Sequence, residues 1–318
     1  MTAASAAPTL GIDLGGTNLR IGVVDGAGAI LAEVREPAPS EVAALIRAIG
    51  AQADDLVAAH GVRAIGVGTA GMIDHDGAVR YAPNLPMFLD VPLRGLLAER
   101  LAPPVMVDND ANAAAWGEHC HGAARGTSHA LVITLGTGVG GGVIADGRLF
   151  RGAHGFAAEI GHWQFDPHGP RCACGEPGHW EAVASGTALG RLARARAEQG
   201  SAPGVLARAG GDATAVRGEH AGESAAAGEA DGIAILAEFA EVVAVGFAGV
   251  ANILDPELIV VSGGLVELGD VLLDPLRAAF LGRLEGSAHR PPVPIVAAEL
   301  GDASGMVGAA ALARDLVS

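Results

Sequence analysis

Asn109 and Asp110 stand together between a short apolar run, Val105 to Val107, and an Ala-rich stretch. A carboxylate at a strand end can take the proton of a hydroxyl as that oxygen attacks phosphorus, and a neighbouring amide can orient the same hydroxyl. The pair would serve equally well as the N-cap of a helix over Ala111 to Cys120. Asp13 closes another apolar run. There it could hold hydrated Mg²⁺ beside phosphates, with hydroxyls from Thr17 and Thr137; its plainer use is to cap a turn. His162, Cys172, Cys174 and His179 form the densest constellation, since thiolates with imidazoles suit tetrahedral Zn²⁺. Four protein donors would make that ion structural, and Gly175 and Gly178 let the loop wrap it. Two reduced thiols among loop histidines are the alternative. Glu159 and Glu181 flank this knuckle. With His162 they could exchange hydrogen bonds with a polyhydroxylated ligand, or they could be solvated charges.

Two glycine loops share one pattern. Leu14 to Gly26 reads LGGTNLRIGVVDG and Leu135 to Gly147 reads LGTGVGGGVIADG. Each follows an apolar run, passes through a second one and closes on Asp-Gly, a strong hairpin signal. Glycines let amide N–H groups approach anionic oxygens, so strand, bare loop and strand suit the cradling of phosphate. Two glycine-tight hairpins without a ligand would look the same, but the in-register duplication favours a duplicated α/β protein. Gly136, Gly138 and Gly141 also match G-x-G-x-x-G, with Glu159 about 20 residues on. A dinucleotide site would need a helix to open there, whereas Val143 to Phe150 reads as strand and turn. The chain contains no Gly-Lys-Ser/Thr, so a Walker A loop is absent.

The elements that must position these residues alternate between hairpins and strand–helix units. Three strands open the chain, with Asp25-Gly26 between the second and third. A helix follows from about Ser40, a plausible N-cap, to His60. Ala64 to Thr69 reads as a buried strand, Asp76-Gly77 as a hairpin turn, and His154 to Glu181 as irregular. Ala202 to Ala230, rich in Gly, Ala and Glu, reads as a loop between helices. A helix over Gly232 to Leu254 leads into a strand at Leu258 to Val261, which ends in the third glycine turn at Gly263-Gly264. A helix, a strand near Val293 to Val296 and a last helix from about Ser304 complete the order, which implies two α/β lobes with mixed sheets.

With 318 residues, 50% of them hydrophobic and 18% charged, the chain can build two lobes and is not disordered. Aromatics are only 3%, so aliphatic side chains must fill the core. The formal charge of −16 opposes nonspecific nucleic-acid binding. Residues 1–8 lack the basic and apolar regions of a secretory signal. Gly232 to Leu254 carries Glu238 and Glu241 and reads as a buried amphipathic helix rather than a membrane span. Three cysteines make no disulfide framework. The expected location is the cytoplasm, with no membrane and no nucleic-acid partner.

In combination, Asp13-Leu14-Gly15-Gly16-Thr17, Asn109-Asp110-Ala111-Asn112-Ala113, Leu135 to Gly142, Ala158-Glu159-Ile160-Gly161-His162 and Cys172 to Glu181 resemble the ROK family of repressors, open reading frames and kinases. The likeness is greatest to its bacterial glucokinases and runs from about residue 9 to the C-terminus. It implies a duplicated actin-like fold of the hexokinase, ribonuclease H-like type, with two lobes around a cleft. The expected division is a small lobe over residues 1–110, with a C-terminal helix (about 301–318) packing back on it. A large lobe over 111–300 would carry the zinc knuckle and the interface of a homodimer or tetramer.

The resemblance also implies roles. Asp110 would be the general base for a sugar's C6 hydroxyl, and Asn109, Glu159, His162 and Glu181 would hold other hydroxyls. Gly15, Gly16, Thr17, Thr137 and Gly138 would line the phosphates of ATP, with Asp13 at the Mg²⁺, and Gly263 and Gly264 would lie near adenosine. His162 would share its ring between zinc and sugar. The family ligates zinc with one histidine and three cysteines, and the third cysteine falls at His179 here, giving a Cys₂His₂ set. The expected activity is ATP- and Mg²⁺-dependent phosphorylation of a hexose, glucose first. N-acetylmannosamine, N-acetylglucosamine, allose and fructose are alternative acceptors, and polyphosphate is an alternative donor. A sugar-sensing regulator is the other functional class. Regulators of the family carry several dozen residues of helix-turn-helix before this region, whereas Asp13 here follows only twelve.

Overall fold

A computed structural model describes residues 7 to 317 of the chain. Strands β1 (Thr9–Leu14), β2 (Asn18–Val24) and β3 (Ile30–Pro37) form an antiparallel meander in which Ile12 lies opposite Ile21. The Asp25-Gly26 turn joins the last two, its carboxylate accepting from the Ala27 and Ala29 amides, each at 2.9 Å. Helix α1 (Val42–His60) then returns the chain to β4 (Ile65–Thr69), which pairs parallel to β1. A small sheet of β5 (Met72–Ile73), β6 (Val79–Tyr81) and β7 (Leu89–Val91) follows, then α2 (Leu93–Arg100) and β8 (Val105–Asn109), parallel to β4. The first main sheet therefore runs β3-β2-β1-β4-β8. Its inner strands β1 and β4 are buried along nearly their whole length, as their unbroken apolar runs require. Edge strand β3 is largely exposed and carries Glu33, Arg35 and Glu36.

Helix α3 (Asp110–His121) follows β8 directly, and the second half of the chain repeats the strand order. Strands β9 (Ala130–Leu135), β10 (Val139–Ala145) and β11 (Arg148–Leu149) lead through the irregular segment to α4 (Glu181–Ala184), α5 (Gly186–Glu198), α6 (Pro203–Arg208), α7 (Gly218–Ala226) and α8 (Ala230–Leu254). Then come β12 (Leu258–Ser262), α9 (Asp270–Leu281), β13 (Ile295–Ala297) and α10 (Ser304–Arg314). The second main sheet runs β11-β10-β9-β12-β13. In both sheets the first strand of its half is central, flanked by the second and third on one side and the fourth and fifth on the other. The sequence duplication is thus a duplication of topology.

Contacts divide the chain into two units. One holds the chain through Val132 together with Gly141–Ala158 and Ala298 onward; the other holds Ile133–Gly140 and Glu159–Ala297. In the first unit α10 is the central helix. It packs on β1, β4 and α3 so closely that several facing positions must be glycine. A Cβ on Gly66 would sit 2.6 Å from the Ala309 carbonyl carbon, and one on Gly11 would sit 2.9 Å from that of Met306. Glu118, fully buried on α3, ties the same region together. Its carboxylate accepts from the amides of Ala123 (2.8 Å), Glu299 (3.1 Å) and Leu300 (3.0 Å) and from the Ser304 hydroxyl (2.9 Å). Glu118→Gln turns an NH₂ group onto two of those donors and should cost about 2–3 kcal/mol. The denaturant midpoint of unfolding reads this, and an unchanged midpoint would remove Glu118 as a tie.

The second unit is built on α8. This helix is long and apolar enough to cross a membrane by length and composition, yet Ile235, Phe239, Val243, Phe247 and Val250 form a buried face along it. Trp180, also fully buried, meets Phe247 edge-on at 6.1 Å between ring centroids. Outward-facing Glu238 pairs with Arg196 at 2.5 Å, and Glu241 pairs with Arg283.

Two expectations from the sequence are corrected. Ser40 is not the N-cap of α1, which begins at Val42 after Glu41 and has no side-chain cap. Residues 202–230 are not a loop, since they hold α6, α7 and a short 3₁₀ turn at Ala213–Ala215. Gly210, Gly211 and Gly228 sit between these elements with positive φ, while Gly204, Gly218 and Gly222 lie within α6 and α7, where the surrounding alanines favour helix. Asp231 fixes α6 by accepting from the Gly204 amide at 2.7 Å, and Ala221 and Ala225 of α7 are buried.

Candidate active site

In the first unit the candidate residues gather where three parallel strands end. Register places Leu14 opposite Thr69 and Thr69 opposite Asn109, so Asp13, Thr69 and Asn109-Asp110 share one edge of the sheet. Chain direction thus delivers carboxylates and the glycine turn Gly15-Gly16-Thr17 to the carboxyl ends of the strands, where α/β sheets bind ligands. Gly16 and Thr17 are exposed on that turn.

Asn109 is the N-cap of α3. Its side-chain oxygen accepts from the amides of Ala111 (2.8 Å) and Asn112 (3.1 Å), while its NH₂ donates to the Gly71 carbonyl at 3.1 Å. One amide hydrogen is left to face a ligand, so capping and ligand contact are compatible. Asp110 is half-buried at the first turn of α3. Burial raises its carboxyl above the usual carboxylate range, and the Ala111 amide pulls the other way. Asp13 is pushed up to about 7, first by burial and then by the charge of Asp110, with Arg20 opposing. A buried, same-sign pair of this kind is short of positive charge, which fits a hydrated Mg²⁺ with Asp13 holding its waters.

Behind Asp110 lies an arrangement that no local spacing announces. Asp108 is buried and accepts from the Asn109 amide (2.8 Å), the Asn112 side chain (3.0 Å) and Arg151 Nε (2.7 Å). Arg151 is 43 residues further along the chain.

The second unit carries the other set. Strand β10 continues past the second glycine loop where a dinucleotide fold would open a helix. Thr137 is exposed, and Gly138 is half-buried beside it. Gly263 turns the chain after β12 with a φ of 85°, and a Cβ there would meet the Leu135 backbone at 2.5 Å. Ser185 begins α5 by accepting from the Ala188 amide at 3.3 Å, which sets Gly186 and Thr187 against the loop.

The knuckle brings its four proposed ligands together. All four donor atoms of His162, Cys172, Cys174 and His179 lie within 4.8 Å of one another. His162 Nδ1 is 3.6 Å from Cys172 Sγ, and His179 Nδ1 is 3.2 Å from Cys174 Sγ. A tetrahedral zinc with ordinary bond lengths separates N and S donors by about 3.5 Å, so the set fits that ion. Burial pushes the Cys172 thiol up to about 12 and lowers the His162 imidazole. The other nitrogen of His162, Nε2, lies 3.9 Å from Glu159 Oε2. The ring therefore presents one nitrogen to the thiols and the other to a carboxylate. Glu181 accepts from the Val139 amide (3.0 Å) and from the Cys172 thiol (3.1 Å).

A duplicated five-stranded topology, with acidic residues and glycine turns at the strand ends, defines the actin-like, hexokinase-type fold. Solved structures of that class superpose along nearly the whole chain. A ROK family glucokinase from Streptomyces griseus, crystallised with glucose and AMPPNP, is 40% identical, with a TM-score of 0.88 over 97% of this chain and 100% of its own. A ROK hexokinase from Thermus thermophilus is 34% identical, with a TM-score of 0.78 over 98% and 99%. The glucokinase of Streptomyces coelicolor is 40% identical over 310 residues, 96% of this chain and 98% of its own. The model of the ROK family matches residues 9–316, and the chain belongs to that family.

Proposed function

We propose that this protein is an ATP- and Mg²⁺-dependent glucokinase that phosphorylates glucose at its C6 hydroxyl. The observation that carries this is 40% identity to glucokinases along 96% of the chain, with Asp110 standing at the end of β8 and a carboxyl affinity raised by burial. Asp110 takes the C6 hydroxyl proton as that oxygen bonds to the γ-phosphorus and the bond from phosphorus to the ADP oxygen breaks. A base whose pKa is raised toward neutrality gains driving force for this transfer. Asn109, Glu159, His162 and Glu181 hold the remaining hydroxyls. Gly15, Gly16, Thr17, Thr137 and Gly138 present backbone and hydroxyl donors to the phosphates, and Gly263 and Gly264 leave room for adenosine. Mg²⁺, held through water by Asp13, would supply charge neutralisation on the phosphate oxygens. Zinc on His162, Cys172, Cys174 and His179 would be structural and would fix the His162 ring toward the sugar.

The same reading makes the protein a cytoplasmic homodimer, and light scattering during gel filtration checks the mass. A coupled ADP-release assay with Mg-ATP over a panel of hexoses and N-acetylhexosamines tests the activity. Glucose should give the highest kcat/KM. Silence over the whole panel in folded protein would overturn the reading and leave sugar sensing without catalysis. Cys172→Ser combined with Cys174→Ser should abolish the one zinc per chain expected from elemental analysis. It should also weaken glucose binding about tenfold. Glucose affinity that survives zinc loss would break the link through His162.

A further inference from the structure

The loop Gly136–Val139 is held at three points by the chain that follows the knuckle. Gly136 O accepts from the Gly186 amide at 2.7 Å, and Thr137 O accepts from the Thr187 hydroxyl at 2.9 Å. The third point is a side chain: Glu181 Oε2 accepts from the Val139 amide at 3.0 Å. Gly138 shows how tightly this contact is built. It has no left-handed backbone to explain the glycine, and a Cβ there would collide with Glu181 Oε2. Glu181 is also placed rigidly, because Trp180 beside it is fully buried and donates from Nε1 to the Val242 carbonyl at 3.4 Å. The other carboxylate oxygen faces Cys172 of the knuckle at 3.1 Å.

We propose that Glu181 is a positioning residue for the Gly136–Val139 loop: one of its oxygens sets the loop's conformation for phosphate while the other faces the knuckle, whose His162 is assigned to sugar. The proposal rests on the kinase reading above. It makes the affinity for nucleotide depend on a side chain otherwise assigned to sugar, even when no sugar is present. The Val139 amide requires an acceptor but not a charge, so the two roles separate by chemistry. Glu181→Gln keeps an acceptor for Val139 and should bind AMPPNP within about twofold of wild type while binding glucose more weakly. Glu181→Ala leaves the Val139 amide without that acceptor and should lose AMPPNP affinity about tenfold in sugar-free calorimetry.

Hydrogen exchange on ligand-free protein reads the strut directly, and the Val139 amide should exchange faster in Glu181→Ala than in wild type. Glu181→Asp, which keeps the charge but shortens the reach, covers the case in which the alanine variant does not fold; it should lose nucleotide affinity in the same direction. Wild-type AMPPNP affinity and unchanged Val139 exchange in a folded alanine or aspartate variant would overturn the proposal. Failure of the wild type to bind AMPPNP would instead overturn the kinase reading, and the exchange comparison would still decide the strut.

Discussion

Asp110→Asn is expected to lower kcat by about a thousandfold while leaving glucose affinity within a few fold. Asparagine keeps the shape at the start of α3 but has no basic oxygen, so the C6 proton loses its acceptor as phosphorus is attacked. Stability should move in the opposite direction. Burial raises the Asp110 carboxyl in the folded protein, so the folded state binds that proton more tightly than the unfolded chain does. The contribution of this group is therefore present below the ordinary carboxylate pKa and is lost as pH rises through the raised value. Asp110→Asn should melt above wild type at pH 8 and level with it at pH 4. For the wild type, kcat/KM should fall on the acid side at a pH above the ordinary carboxylate range. A variant that keeps its kcat would remove Asp110 as the base, and an unchanged Tm at pH 8 would remove burial as the cause of its raised affinity.

Gly66→Ala should destabilise the first unit by about 3 kcal/mol or more, at the upper end of overpacking costs. The added Cβ would lie 2.6 Å from the Ala309 carbonyl carbon, so the obstruction is main chain and no rotamer change relieves it. Relief requires α10 to lift from β4. The helix is also pinned on its other side, where a Cβ on Gly308 would lie 2.5 Å from the Ala113 carbonyl carbon and one on Gly117 would lie 2.6 Å from Ser304 O. With 5–15 kcal/mol typical for a domain, one methyl group would remove a large share of the total. Gly95→Ala, on α2 with nothing within 4 Å of its new Cβ, is the control and should be neutral or stabilising by up to about 1 kcal/mol. Equal denaturant midpoints for the two variants would contradict the close approach of α10.

How far these features were legible follows from whether their causes are local. Asp25-Gly26 announces its hairpin because the aspartate closes the turn on its own neighbours; at Asp76-Gly77 that part is taken by Asp74, whose Oδ1 accepts from the Asp76 and Ala78 amides, each at 2.9 Å. The paired glycine loops were readable for the same reason, and so was the rejection of a dinucleotide fold, since β10 carries its own strand pattern. Residues 202–230 read as loop from their glycine content, yet only Gly210, Gly211 and Gly228 fall between helices, and the alanines around Gly204, Gly218 and Gly222 carry α6 and α7 through them. Asn109 was ambiguous between cap and ligand because the choice turns on which of its amide atoms face α3. The Asp108–Arg151 pair and the Glu181–Val139 bond join residues more than 40 apart. No periodicity of 2 or 3.6 residues can encode them.

The closeness of α10 to the first sheet has a consequence for synthesis of the chain. Thr9 donates to the Ala310 carbonyl across 301 residues, so strands made early are completed only by residues made much later. Between the end of β8 and the start of α10 the ribosome adds roughly 200 residues, about 10–40 s at ordinary elongation rates. Throughout that interval the faces of β1 and β4 around Gly11 and Gly66 lack their cover. The internal unit, complete by Ala297, can close before the outer one does. Folding order is then reversed with respect to chain order, and the first sheet keeps apolar surface exposed until α10 arrives.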